Sequence, residues 1–547
     1  MTPIQRFWKL LAPFKKEVYQ IYLYAILNGL VNLSLPLGIQ AIVNIIQMGA
    51  LTTSWAVLVV FVIVGIIFSG VFQLAQLRIV ENIQQEIFAK SSFEFAFRFP
   101  KIKLKKLQNI HTPELANRFF DTLTIQKNLP KVLVDFSLAI FQAFFGLFLL
   151  SVYSPYFLII GFFLISSIWL LFKATNPRGM STSILESKFK YIVAHWLEEV
   201  ARTHKSFKKF SSYALHLKQT DKKNIDYLEA REKHFSVLVM QFKFFILFKV
   251  LLAAGLLVLG GLLVYNEQMN IGQFVAAEII ILLIITSIEK LINSVDSIYD
   301  LLTALDKIGF ITDIELDEKK KVELKDEKKG ISVDITDLSY TGEQSNEVYL
   351  NNFSANIRSG SKTAVIGENK VPKSMLLNII SGFLDIKTGA VKLDGIPIEN
   401  LNKSVLNKQM SIHFSTNELF EASLMENITL GREISEERLN KIISLMGLNL
   451  FVSKLHNGVD SIINPSNYFL SKDITQKILL ARALIDKARL YLFEYPFLYL
   501  KQNDKERIID FMIDDAKEST FIVITEDEYW LGKSNQQVVV SKGGGNA

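Results

Sequence analysis

The chain of 547 residues contains no cysteine. Disulfide bonds, thiol nucleophiles and thiolate metal sites are therefore excluded. The chain also lacks a large excess of either charge. Its 60 Lys and Arg and 54 Asp and Glu leave a formal net charge of only +6. Nucleic-acid binding usually rests on a concentrated basic face, whereas the basic residues here flank apolar runs. We therefore expect no nucleic-acid partner.

Long apolar runs are what this sequence has in excess. Half of the residues are hydrophobic, 41 are Phe, and the mean hydropathy is +0.27. About 20 apolar residues suffice to cross a bilayer, and six stretches reach that length, near 18–46, 55–78, 132–153, 156–174, 244–265 and 273–293. Six membrane-spanning helices are predicted. The first is too long for a signal-peptide core and lacks a small-residue cleavage site, so we expect it to be retained.

The gaps between these stretches are of two kinds. Gln47–Ser54, Val152–Tyr156 and Tyr265–Gly272 are short and contain no Lys or Arg, whereas the other gaps are long and basic. The positive-inside rule then places both termini in the cytoplasm, at the inner membrane if the protein is bacterial. Residues 79–130 and 176–243 carry helical periodicity, which predicts that the spans continue as helices beyond the membrane.

A charged run, 317–330, separates this part from a different pattern. Its composition is typical of a solvated linker. After it, β-rich runs alternate with helical segments and turn signals, which indicates an α/β domain. The predicted organisation is a transmembrane domain at 1–316, a linker at 317–330 and an α/β domain at 331–547. The predicted strands are Ser332–Ile335, Lys362–Ile366, Val391–Leu393, Arg489–Phe493 and Thr520–Thr525.

One predicted strand runs into a turn with phosphate-loop spacing. Gly367 is followed at the expected distance by Lys373 and Ser374. In such a loop, backbone N–H groups and a helix N-terminus hold phosphates, the lysine neutralises charge, and the hydroxyl holds Mg²⁺. Pro372 stands where a glycine belongs, and it removes one N–H donor. The motif alone therefore also fits an ordinary strand-to-helix turn.

The order of motifs along the whole chain resembles a half-transporter of the ATP-binding-cassette (ABC) exporters. The resemblance rests on Thr112–Arg118 as a coupling region, Asn270–Ala276 as the turn into the sixth span, and three nucleotide-domain segments at 338–340, 419–428 and 470–484. It implies an all-α transmembrane domain of six helices followed by an α/β domain of the P-loop NTPase type, with ATP and Mg²⁺ as cofactors. The residues that it places at the nucleotide are Tyr340, Gly367, Lys370, Lys373, Ser374 and Glu494.

Within this resemblance, Ser374 and Glu494 are the candidate metal ligands, and Tyr340 stacks on adenine. Each of these residues also has a purely structural interpretation. Lys373 and Ser374 fit the first turn of a surface helix. Tyr340 fits an ordinary strand aromatic, and Glu494 fits a relic at a strand end.

The chain departs from the family pattern at most catalytic positions. Lys370 and Pro372 replace phosphate-loop glycines, and Tyr495 replaces the carboxylate that acts as general base. The remaining departures are Ser415 at the Q-loop, Lys472, Asp473 and Ile474 in the signature, Lys501 in the D-loop and Glu526 at the switch histidine. A tyrosine cannot serve as a general base at neutral pH. No catalytic residue is therefore predicted, and ATP hydrolysis by this chain's own residues is not expected.

Three functions are compatible with these observations. The first is the degenerate half of a heterodimeric exporter, whose partner is a second ABC half with intact motifs and whose surroundings are membrane lipid. The second is a membrane scaffold or regulatory subunit that uses the exporter fold without pumping. The third is an active homodimeric ATPase, which depends on Lys373 and Ser374. The sequence does not identify a transported substrate, because fold does not fix cargo.

Overall fold

A computed structural model describes residues 1–48, 53–107, 112–209, 214–317, 320, 322–325, 327–342, 347–416, 418–465 and 470–541. The chain forms two compact units. The first contains 1–101 and 109–314, and the second contains 102–108 and 315–547. The predicted domain limits at residues 316 and 331 stay predictions.

The first unit is all helical. Its helices are α1 (Pro3–Leu11), α2 (Lys15–Val31), α3 (Ser34–Gln47), α4 (Thr53–Arg98), α6 (Thr112–Asn117), α7 (Asp121–Pro130), α8 (Phe136–Tyr153), α9 (Tyr156–Arg202), α10 (His204–Lys209), α11 (Leu215–Tyr265) and α12 (Ile271–Asp313); α5 (Leu104–Leu107) belongs to the second unit. A π-helical turn, Lys131–Asp135, joins α7 to α8. Six helical stretches are long and apolar enough to cross a membrane. This confirms the prediction of six apolar helices.

Four of these helices are much longer than a bilayer requires. α4, α9, α11 and α12 contain 46, 47, 51 and 43 residues. At a rise of about 1.5 Å per residue they reach roughly 65–75 Å, against about 30 Å of hydrocarbon. The predicted continuation of the spans as helices is thus confirmed for the described residues. Helix α12 starts where the sequence predicts a turn, with Asn270 and Gln273 forming a capping box.

The second unit contains a parallel and an antiparallel sheet. Five parallel strands follow the order β11-β3-β10-β9-β6, and four antiparallel strands follow the order β2-β1-β4-β5. The strands are β1 (Val333–Thr341), β2 (Val348–Ile357), β3 (Lys362–Ile366), β4 (Thr388–Leu393), β5 (Ile396–Pro397), β6 (Met410–His413), β7 (Ala422–Ser423), β8 (Ile462–Ile463), β9 (Leu490–Glu494), β10 (Thr520–Ile524) and β11 (Gln536–Val539). All five predicted strands are present.

Helices cover the parallel sheet. They are α13 (Lys370–Ile380), α14 (Lys403–Gln409), α15 (Leu424–Thr429), α16 (Glu436–Leu445), α17 (Asn449–Ser453), α18 (Lys472–Leu484), α19 (Gln502–Asp515) and α20 (Glu528–Lys533). Strands β3, β9 and β10 are almost entirely buried, as expected of parallel strands between helical layers. The predicted α/β architecture is confirmed.

The charged segment 317–330 is less solvated than its composition predicts. Leu324 is only 5% exposed and belongs to the hydrophobic core of the second unit. The backbone N–H of Asn402 donates to the carbonyl of Val322 at 2.8 Å. Asp317 forms an ion pair with Lys403 at 2.7 Å. Apolar residues alternate with charges here, so the described part of the segment packs on the α/β domain.

Candidate functional site

The predicted site residues other than Tyr340 lie along one edge of the parallel sheet. Strands β3, β6, β9 and β10 run in the same direction, so their carboxyl ends meet at that edge. Residues that follow these ends include Gly367, Ser415, Tyr495 and Glu526. Ligands of open α/β sheets bind outside the carboxyl ends of the strands. A ligand of this domain would therefore bind at this edge.

Gly367 ends β3 with a backbone conformation that other residues rarely adopt. Its φ is +150°, and a Cβ at this position would lie 2.1 Å from the carbonyl oxygen of Val540. The backbone N–H of Val540 in turn donates to the carbonyl of Ile366 at 2.8 Å. Glycine is required here by this close approach, whether or not a ligand binds.

Gly367→Ala is expected to destabilise the second unit by roughly 2–3 kcal/mol, because the new methyl group overlaps backbone that cannot move cheaply. The matched control is Gly532→Ala in α20, where a Cβ meets nothing within 4 Å. That change should be neutral or slightly stabilising. Chemical denaturation of the two variants measures the difference, and equal midpoints would contradict the steric argument.

The segment after Gly367 becomes helical within three residues. Helix α13 begins at Lys370, its N-cap residue Asn369 makes no side-chain cap, and Pro372 is its third residue. The first turn of a helix offers free N–H groups to an anion. Pro372 has none, so this turn presents one donor fewer.

Lys373 is already satisfied by its own chain. The residue is 1% exposed, and its Nζ donates to the carbonyl of Gly367 at 2.7 Å. The carboxylate of Glu526 lies 3.8 Å from the same nitrogen, and the centre of the Tyr495 ring lies at 5.6 Å. A carbonyl, a carboxylate and an aromatic face thus surround the ammonium that would otherwise meet a phosphate.

Glu494 is buried, at 4% exposure, and both of its oxygens are engaged. Oε1 accepts a hydrogen bond from the Ser374 hydroxyl at 2.5 Å. Oε2 accepts from the backbone N–H of Ser415 at 3.0 Å. The structure therefore brings the two candidate metal ligands together. A hydroxyl and a carboxylate are oxygen ligands of the kind that Mg²⁺ takes.

Tyr495 occupies the position next to Glu494 with φ at +46°. Its N–H donates to the carbonyl of Ile524 at 2.8 Å, which links the ends of β9 and β10. The Lys370 ammonium lies 5.1 Å from the centre of its ring. The ring therefore lies beside the cations of the phosphate-loop segment, and no carboxylate stands at this position to activate water.

Tyr340 is not at this edge. It lies on β1 of the antiparallel sheet, is 5% exposed and packs in the core. The Lys387 ammonium lies 5.9 Å from its ring. Adenine stacking stays a prediction, and it requires that the ring be uncovered first.

The signature positions are also bonded within the chain. Ser471 caps α18, and Asp473 forms an ion pair with Lys477 at 3.1 Å. Lys477 also pairs with Asp504 at 2.7 Å. The Lys472 ammonium lies 4.9 Å from the ring of Tyr499, a residue near the D-loop position. Side chains thus fill the start of a helix at which the family presents backbone.

His413 and Gln476 were not predicted as part of this edge. The ring of His413 is buried, its Nε2 is 2.9 Å from Gln476 Nε2, and Gln476 also donates to the carbonyl of Pro496 at 2.6 Å. Burial lowers the pKa of His413 to about 4, and Arg482 acts in the same direction while Glu494 opposes it. The two residues join β6 to α18, and no sequence motif marks such a pair.

The neutral state of His413 predicts a pH dependence of stability. Its folded pKa lies below the unfolded value of about 6.5, so the unfolded chain binds the extra proton between about pH 6.5 and 4. Stability present above pH 6.5 is therefore lost as the pH falls through this window, by up to about 3 kcal/mol. We expect His413→Gln to flatten this loss and His456→Gln, at an exposed position, to leave it unchanged. Denaturation midpoints between pH 4 and 7 test both.

Six long apolar helices and an α/β domain with a phosphate-loop-like turn define a membrane protein with a P-loop-type nucleotide domain. The profile of the ABC transporter transmembrane region matches residues 20–288, and that of the ABC transporter domain matches residues 350–497. The chain belongs to the half-transporters of the ABC exporters, and it is an integral membrane protein. The domain of this family binds ATP, usually with Mg²⁺.

Known proteins agree with this assignment. The chain is similar to the ATP-dependent lipid A-core flippase of Vibrio vulnificus (strain YJ016), with 24% identity over 281 residues, which are 51% of this chain and 48% of the relative. It is also similar to the ATP-dependent lipid A-core flippase of Francisella novicida, with 27% identity over 394 residues, which are 67% of this chain and 64% of the relative. The alignment thus spans about half the length of the Vibrio relative. A bacterial Atm1-family ABC exporter with ATP bound shares the fold, with a TM-score of 0.81 at 17% identity, over 98% of this chain and 95% of that one.

Proposed function

We propose that this chain is the catalytically degenerate half of a heterodimeric ABC exporter. Its six spans would lie in the cytoplasmic membrane, which is the inner membrane of a bacterium, with both termini in the cytoplasm. The distribution of Lys and Arg between the short and long gaps supports this orientation. The partner would be a second ABC exporter half with intact motifs. We assign no transported substrate.

The observation that carries the proposal is the internal neutralisation of the site. Lys373 is held by the Gly367 carbonyl and faces the Glu526 carboxylate, while Glu494 is bonded to Ser374 and to the Ser415 amide. A polyphosphate would have to displace these contacts and would meet a carboxylate at the switch position. Phosphoryl transfer depends on positioned cations and on a group that orients water, and Tyr495 does not supply the latter.

These residues fit Mg²⁺ better than they fit the polyphosphate of ATP. Ser374 and Glu494 have the chemistry to hold Mg²⁺, and Lys373 with Lys370 supplies positive charge. The first turn of α13 lacks the N–H that Pro372 removes, so it offers a polyphosphate one donor fewer. We therefore propose weak binding of Mg-ATP and no hydrolysis by this chain.

Copurification of this chain with its partner half, followed by measurement of ATPase activity, tests the proposal. We expect the pair to hydrolyse ATP and this chain alone to be inactive. A general-base substitution in the partner should abolish the activity of the pair. Activity of the pair that survives this substitution would overturn the proposal, because the remaining turnover would have to come from this chain.

A non-pumping scaffold or regulatory subunit is the second candidate. The ion pairs of Asp473, Lys477 and Asp504 favour it, because the signature contribution to a composite site is lost as well as the phosphate loop. A scaffold should associate with an unrelated membrane complex whether or not nucleotide is present. An exporter half should instead copurify with an ABC chain that has intact motifs.

An active homodimeric ATPase is the third candidate. It requires Lys373 and Ser374 to bind nucleotide despite their internal contacts. Titration of the purified chain with a fluorescent ATP analogue, with and without Mg²⁺, addresses it directly. Tight Mg²⁺-dependent binding together with turnover by this chain alone would favour the homodimer over the degenerate half.

A further inference from the structure

The helical unit contains a cavity of about 570 Å³, a volume typical of small-molecule sites. It is lined by residues of α9, α11 and α12, by Glu114 of α6 and by Arg118, which follows α6. Four cationic side chains reach it, Arg118, Lys188, Lys223 and Lys307, together with the aromatic rings of Tyr191 and Trp196. All of these residues belong to the first unit.

The positive charge of this cavity exceeds its negative charge. Two carboxylates line it, and each has an arginine partner: Glu114 pairs with Arg118 at 3.4 Å, and Glu199 with Arg202 at 2.5 Å. Lys188, Lys223 and Lys307 form no ion pair within the part of the chain that the structure describes. Arg118 Nε is buried and has no hydrogen-bond partner there. The carboxylate of Asp121, bonded to Tyr191, also attracts Lys307 and Arg118. The four cations that line the cavity still outnumber these three carboxylates, so an anion is favoured.

Hydrogen bonds hold the rings of Tyr191 and Trp196 in place, and a lysine ammonium lies over each ring. The Tyr191 hydroxyl donates to Asp121 at 2.5 Å, and the Lys307 ammonium lies 5.8 Å from the centre of its ring. Trp196 Nε1 donates to the Thr220 hydroxyl at 3.0 Å, and the Lys223 ammonium lies 5.6 Å from that ring. Flat apolar surface and positive charge therefore alternate around the same space.

The position of the cavity favours a ligand from the aqueous phase. Lys188 and Trp196 follow the predicted fourth span, which ends near residue 174, by 14 and 22 residues. At about 1.5 Å per residue, the cavity begins roughly 20 Å along the helix beyond that end. This exceeds the depth at which a lipid headgroup lies, so a membrane lipid is not the ligand that fits.

We propose that this cavity binds a small soluble organic anion that joins a planar ring to a phosphate or carboxylate group. The anionic group would lie between Arg118, Lys223 and Lys307, and the ring would pack against Tyr191 or Trp196. Charge-assisted hydrogen bonds and stacking on an aromatic face are the interactions that recognise such a molecule. The proposal does not depend on the catalytic state of the α/β domain.

Phenyl phosphate is the minimal probe, with inorganic phosphate and phenol as its two halves. We expect calorimetric titration of the full chain in detergent micelles to give at least about tenfold tighter binding of phenyl phosphate than of either half. Trp196 emission should change on binding, and this change should disappear in Trp196→Phe. Equal affinity for phenyl phosphate and inorganic phosphate would overturn the role of the ring.

Substitutions locate the binding site. Lys223→Gln and Lys307→Gln should each weaken phenyl phosphate binding by about tenfold, which corresponds to the loss of one charged contact. Lys222→Gln is the matched control, because it removes the same charge one residue away at an exposed position that does not line the cavity. Unchanged thermal midpoints establish that the variants are folded. Equal affinities of the three folded variants, or no binding of phenyl phosphate at all, would refute the site.

Discussion

A chain that carries Pro372→Gly together with Glu526→His is expected to bind ATP at least about a hundredfold more tightly than the natural chain. Glycine restores an N–H at the first turn of α13, and a hydrogen bond to a charged acceptor contributes about 1.5–3 kcal/mol. Replacing Glu526, which is 79% exposed at its side chain and 3.8 Å from Lys373, removes a negative charge that repels phosphate. Together these changes exceed the roughly 2.8 kcal/mol that a hundredfold difference requires.

The matched control is Pro397→Gly together with Glu528→His. It makes the same chemical changes in β5 and α20, outside the phosphate-loop segment. Binding of a fluorescent ATP analogue to both double variants, and to the natural chain, measures the effect. If the repaired chain gains no more affinity than the control, Pro372 and Glu526 are not what limits binding.

The repaired chain should still not hydrolyse ATP. Tyr495 remains in place of a carboxylate base, and Ser415 remains in place of the Q-loop glutamine. Affinity and turnover are thus separable in this domain, because binding depends on positive charge and N–H donors while turnover also needs an oriented water. Measurable hydrolysis by the repaired chain would show that another group activates the water.

The parts of the fold that the sequence predicted depend on local pattern. Apolar runs of about 20 residues mark the spans without knowledge of their neighbours, and Asn270 with Gln273 marks the start of α12. Buried strands such as Thr520–Ile524 are recognisable because both faces are covered and every residue after the first is apolar. These signals lie within a few residues of one another, so one sequence suffices to read them.

The parts that could not be predicted depend on contacts between distant residues. Lys373 and Glu526 are far apart in the chain and meet only because β3 and β10 are neighbours in the sheet. The spacing of Gly367, Lys373 and Ser374 likewise does not reveal that α13 begins at Lys370. The altered positions are thus readable from the sequence, whereas the structure shows that the substituted Glu526 lies beside the retained Lys373.

The charged segment 317–330 is also positioned by a residue that is distant in the sequence. Its composition predicts a solvated linker, yet it is held to the α/β domain by Arg489. This buried guanidinium donates to the carbonyls of Lys325 at 2.8 Å and Lys329 at 2.6 Å. It also binds Gln409 Oε1 at 3.0 Å and Asp394 at 2.6 Å. One side chain at the start of β9 thus joins the segment, the sheet and the β4–β5 turn.

Arg489→Met is therefore expected to destabilise the α/β domain by about 3–5 kcal/mol, because Asp394 loses its cationic partner and two backbone carbonyls lose their hydrogen-bond donor. For a domain of this size the thermal midpoint should fall by roughly 10 °C. Amide hydrogen exchange should accelerate first in the described residues 322–330, since Arg489 is their shared anchor. Arg358→Met at an exposed position is the matched control and should change neither quantity.

The ion pair and the carbonyl contacts can be separated by comparing Arg489→Met with a second single variant. Asp394→Asn removes the charge of the partner but leaves the carbonyls of Lys325 and Lys329 with their donor. If the segment is held mainly through its carbonyls, Asp394→Asn should cost less than Arg489→Met and should leave exchange in 322–330 slow. If exchange in this segment accelerates equally in both variants, the ion pair with Asp394 orients the guanidinium, and the carbonyl contacts follow from it.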